Sequence, residues 1–125
     1  MRIGDALPVF ERELALPDLV AYGAATWDWH PMHYDRALAV ETGLREPIVD
    51  GQMLGALMAK QILDWLGPAA FITHLEFRFR SPVFAGERVR CEGEVLEVEK
   101  KAIGIAQRIV VEERLAAEGS ARVRI

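Results

Sequence analysis

The sequence predicts a single α+β domain over residues 1–125, in which one antiparallel sheet buries a face against one long helix. Three observations predict it. Met53, Leu54, Leu57, Met58, Ile62 and Trp65 recur at three- and four-residue spacing, and only Gln61 interrupts the stripe. From Phe71 onward the chain alternates apolar and polar residues in four runs separated by turn-like sites. A chain of 125 residues, 51% hydrophobic and 27% charged, is sized for one core and not for two.

The elements follow in order. Pro8 to Leu16 alternates apolar and charged residues and predicts a short strand bounded by Pro8 and Pro17. Pro17-Asp18 opens a helix through Leu19, Val20, Tyr22 and Ala25, because proline is tolerated in a first turn. Pro31 forbids a regular helix across Asp28–His33 and pushes His30 to extended geometry. Asp35 is placed to cap a short helix through Ala37, Leu38 and Val40 that stops at Gly43. Asp50 is placed to cap the long helix, which Gly67-Pro68 ends, and Gly51, Gly55 and Ala56 leave room for something to approach its backbone. Phe71–Val83 is read with Phe71, Thr73, Leu75, Phe77 and Phe79 on one face. Gly86–Glu99, Ala102–Arg114 and Ala116–Ile125 complete the sheet, with turns near Lys100-Lys101 and Glu112-Glu113. A sheet wrapped around one apolar helix is the hotdog arrangement.

Several function classes fall away on composition. A net charge of −4 argues against nucleic acid as the main partner, since phosphate contacts need concentrated Lys and Arg. Cys91 is the only cysteine, so no intramolecular disulfide forms. The opening Met1–Pro8, interrupted by Asp5 and Pro8, does not read as a signal peptide, and no apolar run approaches a membrane span. The expectation is a cytoplasmic protein.

The chemistry is concentrated in Thr26-Trp27-Asp28-Trp29-His30-Pro31-Met32-His33-Tyr34-Asp35, which holds two of the three histidines. A carboxylate and an imidazole held close by a rigid turn suit proton transfer. Asp35 reads as a helix cap, His30 as a residue that structures the loop, and His74 as an ordinary strand residue beside Glu76. No cysteine joins the cluster, and no metal site is expected. Trp27 and Trp29 flank Asp28 and either wall a pocket or simply pack. Arg78, Arg80, Arg88, Arg90 and Lys60 are the cations available to meet phosphates.

At Asp28, Pro31, His33 and Asp35, followed by Pro47-Ile48-Val49-Asp50-Gly51-Gln52-Met53-Leu54, the chain resembles the MaoC-like hydratase/dehydratase family of hotdog proteins. Leu75-Glu76-Phe77-Arg78-Phe79-Arg80-Ser81-Pro82-Val83 with Gly86-Glu87 resembles that family's second strand and its turn. Two positions depart. His30 stands where the family usually has Asn, and Asp50 where it usually has the His before the helix glycine. A similar loss of His-Gly, and the stretch Asp64-Trp65-Leu66-Gly67-Pro68, resemble small catalytic subunits of heteromeric family members that act on steroid side-chain enoyl-CoA thioesters.

The resemblance implies hydration of trans-2-enoyl-CoA thioesters to (R)-3-hydroxyacyl-CoA, or the reverse dehydration. Asp28 would polarise a water for attack at C3, and His33 would orient it and help deliver a proton to C2. Gly51, at the helix N-terminus, would offer a backbone N–H to the thioester oxygen, with Asp50 and His30 beside the substrate. No cofactor is implied; coenzyme A enters as part of the substrate. A dimer is implied, homomeric or with a second family subunit. A thioesterase using Asp50 as base, and a subunit inactive on its own, are the competing readings.

Overall fold

A computed structural model describes all 125 residues. The order is β1 (Phe10–Glu13), α1 (Leu16–Thr26), a 3₁₀ turn (Pro31–His33), α2 (Arg36–Glu41), α3 (Gly51–Leu66), β2 (Phe71–Phe79), β3 (Arg88–Val98), β4 (Ala102–Val111) and β5 (Arg114–Arg124). The five strands form one antiparallel sheet in the order β1-β3-β4-β5-β2. The expected α+β architecture, sheet around helix, is what the chain adopts.

The caps fall where the sequence places them. The Leu38 N–H donates to Asp35 Oδ1 at 3.1 Å and the Gln52 N–H to Asp50 Oδ1 at 2.9 Å, each satisfying a helix-start donor that has no intrahelical acceptor. Gly43 ends the segment after α2 at φ 92°, a conformation that costs glycine little.

α3 is the centre of the core. Leu54, Leu57 and Met58 pack with Val89, Cys91 and Ile109 on one side, and Ile62 with Val95, Ile103, Ile105 and Val123 on the other. Gln61, the interruption in the stripe, lies between the two clusters and is 2% exposed. Its Nε2 donates to the carbonyls of Pro8 and Cys91, both at 3.0 Å, and its Oε1 accepts from Gln107 Nε2 at 2.9 Å. Gln107 also donates to the Met58 carbonyl at 2.9 Å, so a buried polar pair fixes helix against sheet.

One expectation needs correction. β2 does not keep one apolar face: its pairing with β5 shifts between Ile72 and His74, a bulge that changes the phase of the alternation. Ile72 and Leu75 therefore both pack on the core while Phe71 and Thr73 are exposed. The close approach expected at Gly51 and Gly55 is made by two rings of β2. A Cβ on Gly51 would overlap the Phe79 ring, and one on Gly55 the Phe77 ring. These rings stack edge-to-face with centroids 5.6 Å apart, and Ala56 faces solvent.

Candidate active site

α1 delivers Asp28. The helix ends at Trp27 in the left-handed region (φ 57°), and the Asp28 N–H turns back to the Gly23 carbonyl at 2.9 Å. Gly23 is required for that return, because a Cβ there would lie 2.8 Å from the Asp28 carbonyl oxygen. The 3₁₀ turn delivers His33. Pro31 starts it, and His30 closes it by accepting the Met32 N–H on Nδ1 at 3.2 Å. The segment before α3 fixes the turn from below: the Ile48 N–H donates to the Met32 carbonyl at 3.0 Å, and His33 Nδ1 lies 2.8 Å from the Ile48 carbonyl.

That last contact sets the imidazole's tautomer. A carbonyl only accepts, so Nδ1 carries hydrogen and the neutral ring presents its Nε2 lone pair to the site. Asp28 is held in the same way. Its Oδ1 accepts the His30 N–H at 3.3 Å, while its Oδ2 lies 4.0 Å from His33 Nε2. Asp28 is 43% exposed at the side chain and His33 14%, so the pair sits at the mouth of a crevice, not in the core.

Asp50 completes the group. One donor or acceptor atom each from Asp28, His33 and Asp50 lies within 4.8 Å of the others. Leu19, Tyr22, Gly23 and Met53 line the remainder of the crevice. A hydrogen bond with the Asp50 carboxyl, then the His30 N–H, hold the Asp28 carboxyl below the usual aspartate range. Burial, reinforced by the charges of Asp50 and Asp28, pushes the Tyr22 hydroxyl above its ordinary value. The Gly51 N–H, first of α3, finds no acceptor in the chain and has the helix dipole behind it.

The other sequence candidates are more ordinary. Trp27 and Trp29 are exposed and meet edge-on at 6.0 Å, with Tyr34 next in line at 6.3 Å from Trp29. His74 pairs with Glu76 at 3.3 Å. Of the five cations, Lys60, Arg80, Arg88 and Arg90 are paired with carboxylates, and Arg78 alone is not. A broad concavity of about 940 Å³ opens over Arg80, Arg108, Glu92 and Glu118. Those charges neutralise one another, and no acid–base pair faces it. Tyr22 and Gly23 escaped the sequence reading. A glycine inside an otherwise helical run was the available signal for a close approach.

The chain belongs to the family described as the MaoC like domain, whose model matches residues 5–119. Among curated relatives, it is 31% identical over 112 residues to the (R)-specific enoyl-CoA hydratase of Aeromonas caviae, covering 86% of this chain and 84% of that one. It is 33% identical over 92 residues to the 3-oxo-4,17-pregnadiene-20-carboxyl-CoA hydratase beta subunit of Mycobacterium tuberculosis, covering 66% and 71%. A mitochondrial 3-hydroxyacyl-[acyl-carrier-protein] dehydratase of Arabidopsis thaliana is 32% identical over 89 residues, 71% of this chain, and the match spans about half (52%) of that relative's length. Among solved structures, the (R)-hydratase from A. caviae involved in PHA biosynthesis superposes with TM-score 0.94 at 27% identity, over 100% of this chain and 97% of that one. The ChsH1–ChsH2 complex from M. tuberculosis shares the fold at TM-score 0.94 and 24% identity, covering 99% and 98%.

Proposed function

We propose that this chain hydrates trans-2-enoyl-CoA thioesters to (R)-3-hydroxyacyl-CoA, or runs the reverse dehydration, with Asp28 and His33 activating the water. Family membership and the named hydratases among its relatives support the reaction class. One observation carries the residue roles: the 4.0 Å gap between Asp28 Oδ2 and His33 Nε2.

That gap is too long for a direct hydrogen bond and suits one bridging water. With both contacts at about 2.8 Å, the angle subtended at the water oxygen is about 90°, close to its own H–O–H angle. Such a water donates one hydrogen to the carboxylate and one to the neutral imidazole, and its lone pairs point away, toward substrate. As the oxygen bonds to C3, Asp28 takes one proton and the C2–C3 π electrons move onto the thioester oxygen. The free Gly51 N–H is the donor for that oxygen, and a donor of this kind is worth about 10²–10³ in rate. The proton removed from the water then returns to C2, with His33 holding the new hydroxyl. His30 acts on this reading through the loop, by aiming Asp28 and closing the turn.

Coenzyme A belongs to the substrate, and no separate cofactor takes part. The crevice beside Asp28 and His33 is narrow and encloses no room for a thioester or an acyl chain. This supports an assembly with a second hotdog subunit, identical or not, to finish the pocket.

The test follows enoyl absorbance and thiol release together, over crotonyl-, long-chain and steroid enoyl-CoA. Loss of the enoyl band without thiol release is expected. Asp28→Asn and His33→Ala should each lower the rate by at least about 10². Thiol release without loss of the double bond would make the chain a thioesterase with Asp50 as base. Activity appearing only with a partner subunit would place it in a heteromer. Equal rates for wild type and Asp28→Asn would sink the mechanism.

A further inference from the structure

We propose that Tyr22 is a further catalytic residue: its hydroxyl donates a hydrogen bond to the oxygen of the water that Asp28 and His33 hold. This rests on the hydratase reading above and deepens it, by giving the reacting oxygen a third protein contact.

α1 carries Tyr22 to the crevice. Leu19, Tyr22 and Gly23 stand at three- and four-residue spacing on one face of that helix, and all three line the crevice with Asp28, His33 and Asp50. The Tyr22 ring packs against the main core cluster, so its position is set by packing and not left to solvent. Side-chain donors are scarce around it. Leu19, Gly23 and Met53 bring none, and neither Lys nor Arg lines the crevice. His33 spends its N–H on the Ile48 carbonyl, 2.8 Å away. Asp28 and Asp50 act as acceptors, of the His30 and Gln52 N–H groups. The Tyr22 O–H is the donor that remains. The hydrogen bond that the Tyr22 residue does make is at its backbone carbonyl, which accepts from Thr26 Oγ1 at 2.8 Å, so the phenol itself is uncommitted within the chain.

The reacting water has a place for that donor. Its two hydrogens go to Asp28 and His33, and one lone pair goes to C3, which leaves the second lone pair unused. As Asp28 draws a proton away, the oxygen takes on hydroxide character, and a donor aimed at it gains strength at that moment. In the dehydration direction the same O–H stabilises the oxygen as its bond to C3 breaks. The phenol keeps its proton throughout, so the proton count of the reaction is unchanged. Burial, reinforced by the charges of Asp50 and Asp28, holds the hydroxyl above its ordinary range, which keeps it a donor at neutral pH.

The experiment removes the hydroxyl and keeps the ring. In the enoyl absorbance assay above, run on whichever assembly is active, Tyr22→Phe should lower kcat about ten- to a hundredfold, the worth of a hydrogen bond to a charged oxygen. KM should stay within about twofold, because the bond is made to the water and strengthens only in the transition state. Tm should not move, since the ring and its packing remain. A second readout addresses the proton itself. Tyr22 and Tyr34 are the only tyrosines, so a polyfluorinated tyrosine incorporated into Tyr34→Phe protein marks position 22 alone. Its more acidic phenol should bring the alkaline loss of kcat to lower pH than in the unlabelled Tyr34→Phe protein. A Tyr22→Phe kcat equal to wild type, a loss confined to KM, or superimposable pH profiles with and without fluorine would overturn the proposal and leave the hydratase reading standing. A wild type that hydrates no thioester in any assembly would overturn both.

Discussion

Gly55→Ala on α3 tests how the wall behind the site is built. Alanine is the better helix former, so in an empty environment the change would stabilise the helix by up to about 1 kcal/mol. Gly55 is buried, however, and the new Cβ would overlap the Phe77 ring. That ring has little room to retreat. It stacks on Phe79 at 5.6 Å, and its backbone is backed by Gly119 on β5, where an added Cβ would lie only 2.9 Å from the Phe77 Cα. Overpacking of this kind costs about 1–3 kcal/mol, and a ring held on both sides belongs at the upper end. The net expectation is a loss of about 1–2 kcal/mol, a fall in Tm of roughly 3–10 °C for a domain this size. Differential scanning calorimetry measures it. Two companions calibrate the terms. Ala56→Gly, exposed on the same helix, isolates helix propensity, and Gly55→Ala with Phe77→Leu relieves the overlap. A Tm for Gly55→Ala at or above wild type would refute the reasoning, since it would mean that the ring steps aside without cost.

Gln61→Leu should destabilise the fold by about 2 kcal/mol or more, because it strands the buried Pro8 and Cys91 carbonyls; adding Gln107→Leu should recover part of the loss, read by urea unfolding. Burial pushes the Cys91 thiol up to about 12, so a disulfide reagent at pH 8 should label it only as the protein unfolds, and prompt labelling of native protein would contradict its placement. Asp28 should titrate below the usual aspartate range by carboxyl NMR. With the folded value depressed, its stabilising contribution is present above the unfolded value and lost as pH falls through the folded one, so Asp28→Asn should unfold less steeply in acid than wild type.

The parts of the fold that were legible in the sequence are those decided locally. The α3 stripe declares itself because the helix is buried along most of its length, and Asp35 and Asp50 declare themselves as caps because capping is a bond between near neighbours. The Asp28–Pro31–His33 spacing likewise fixes a turn that brings carboxylate and imidazole to one side. What was not legible depends on residues far away. The bulge that changes the phase of β2 exists only in its register with β5. Gln61 looked like a break in a stripe until Gln107, forty-six residues on, supplied its partner. Gly51 and Gly55 announced a close approach, but the rings that make it, Phe79 and Phe77, lie on another element. Gly23 and Tyr22 reach the site only because α1 turns back on itself at Trp27.

The strand order has a consequence for how the chain comes off the ribosome. β3, β4 and β5 are a meander of neighbours, but β1 and β2 sit at opposite edges, pairing Phe10 with Cys91 and Phe71 with Arg124. Residues 28–51 and the apolar α3 are therefore synthesised before any of the three central strands exist. At about 5–20 residues per second, α3 waits several seconds with its core face uncovered, the interval in which a chaperone is most useful. The segment that carries Asp28 and His33 is made early and supported last.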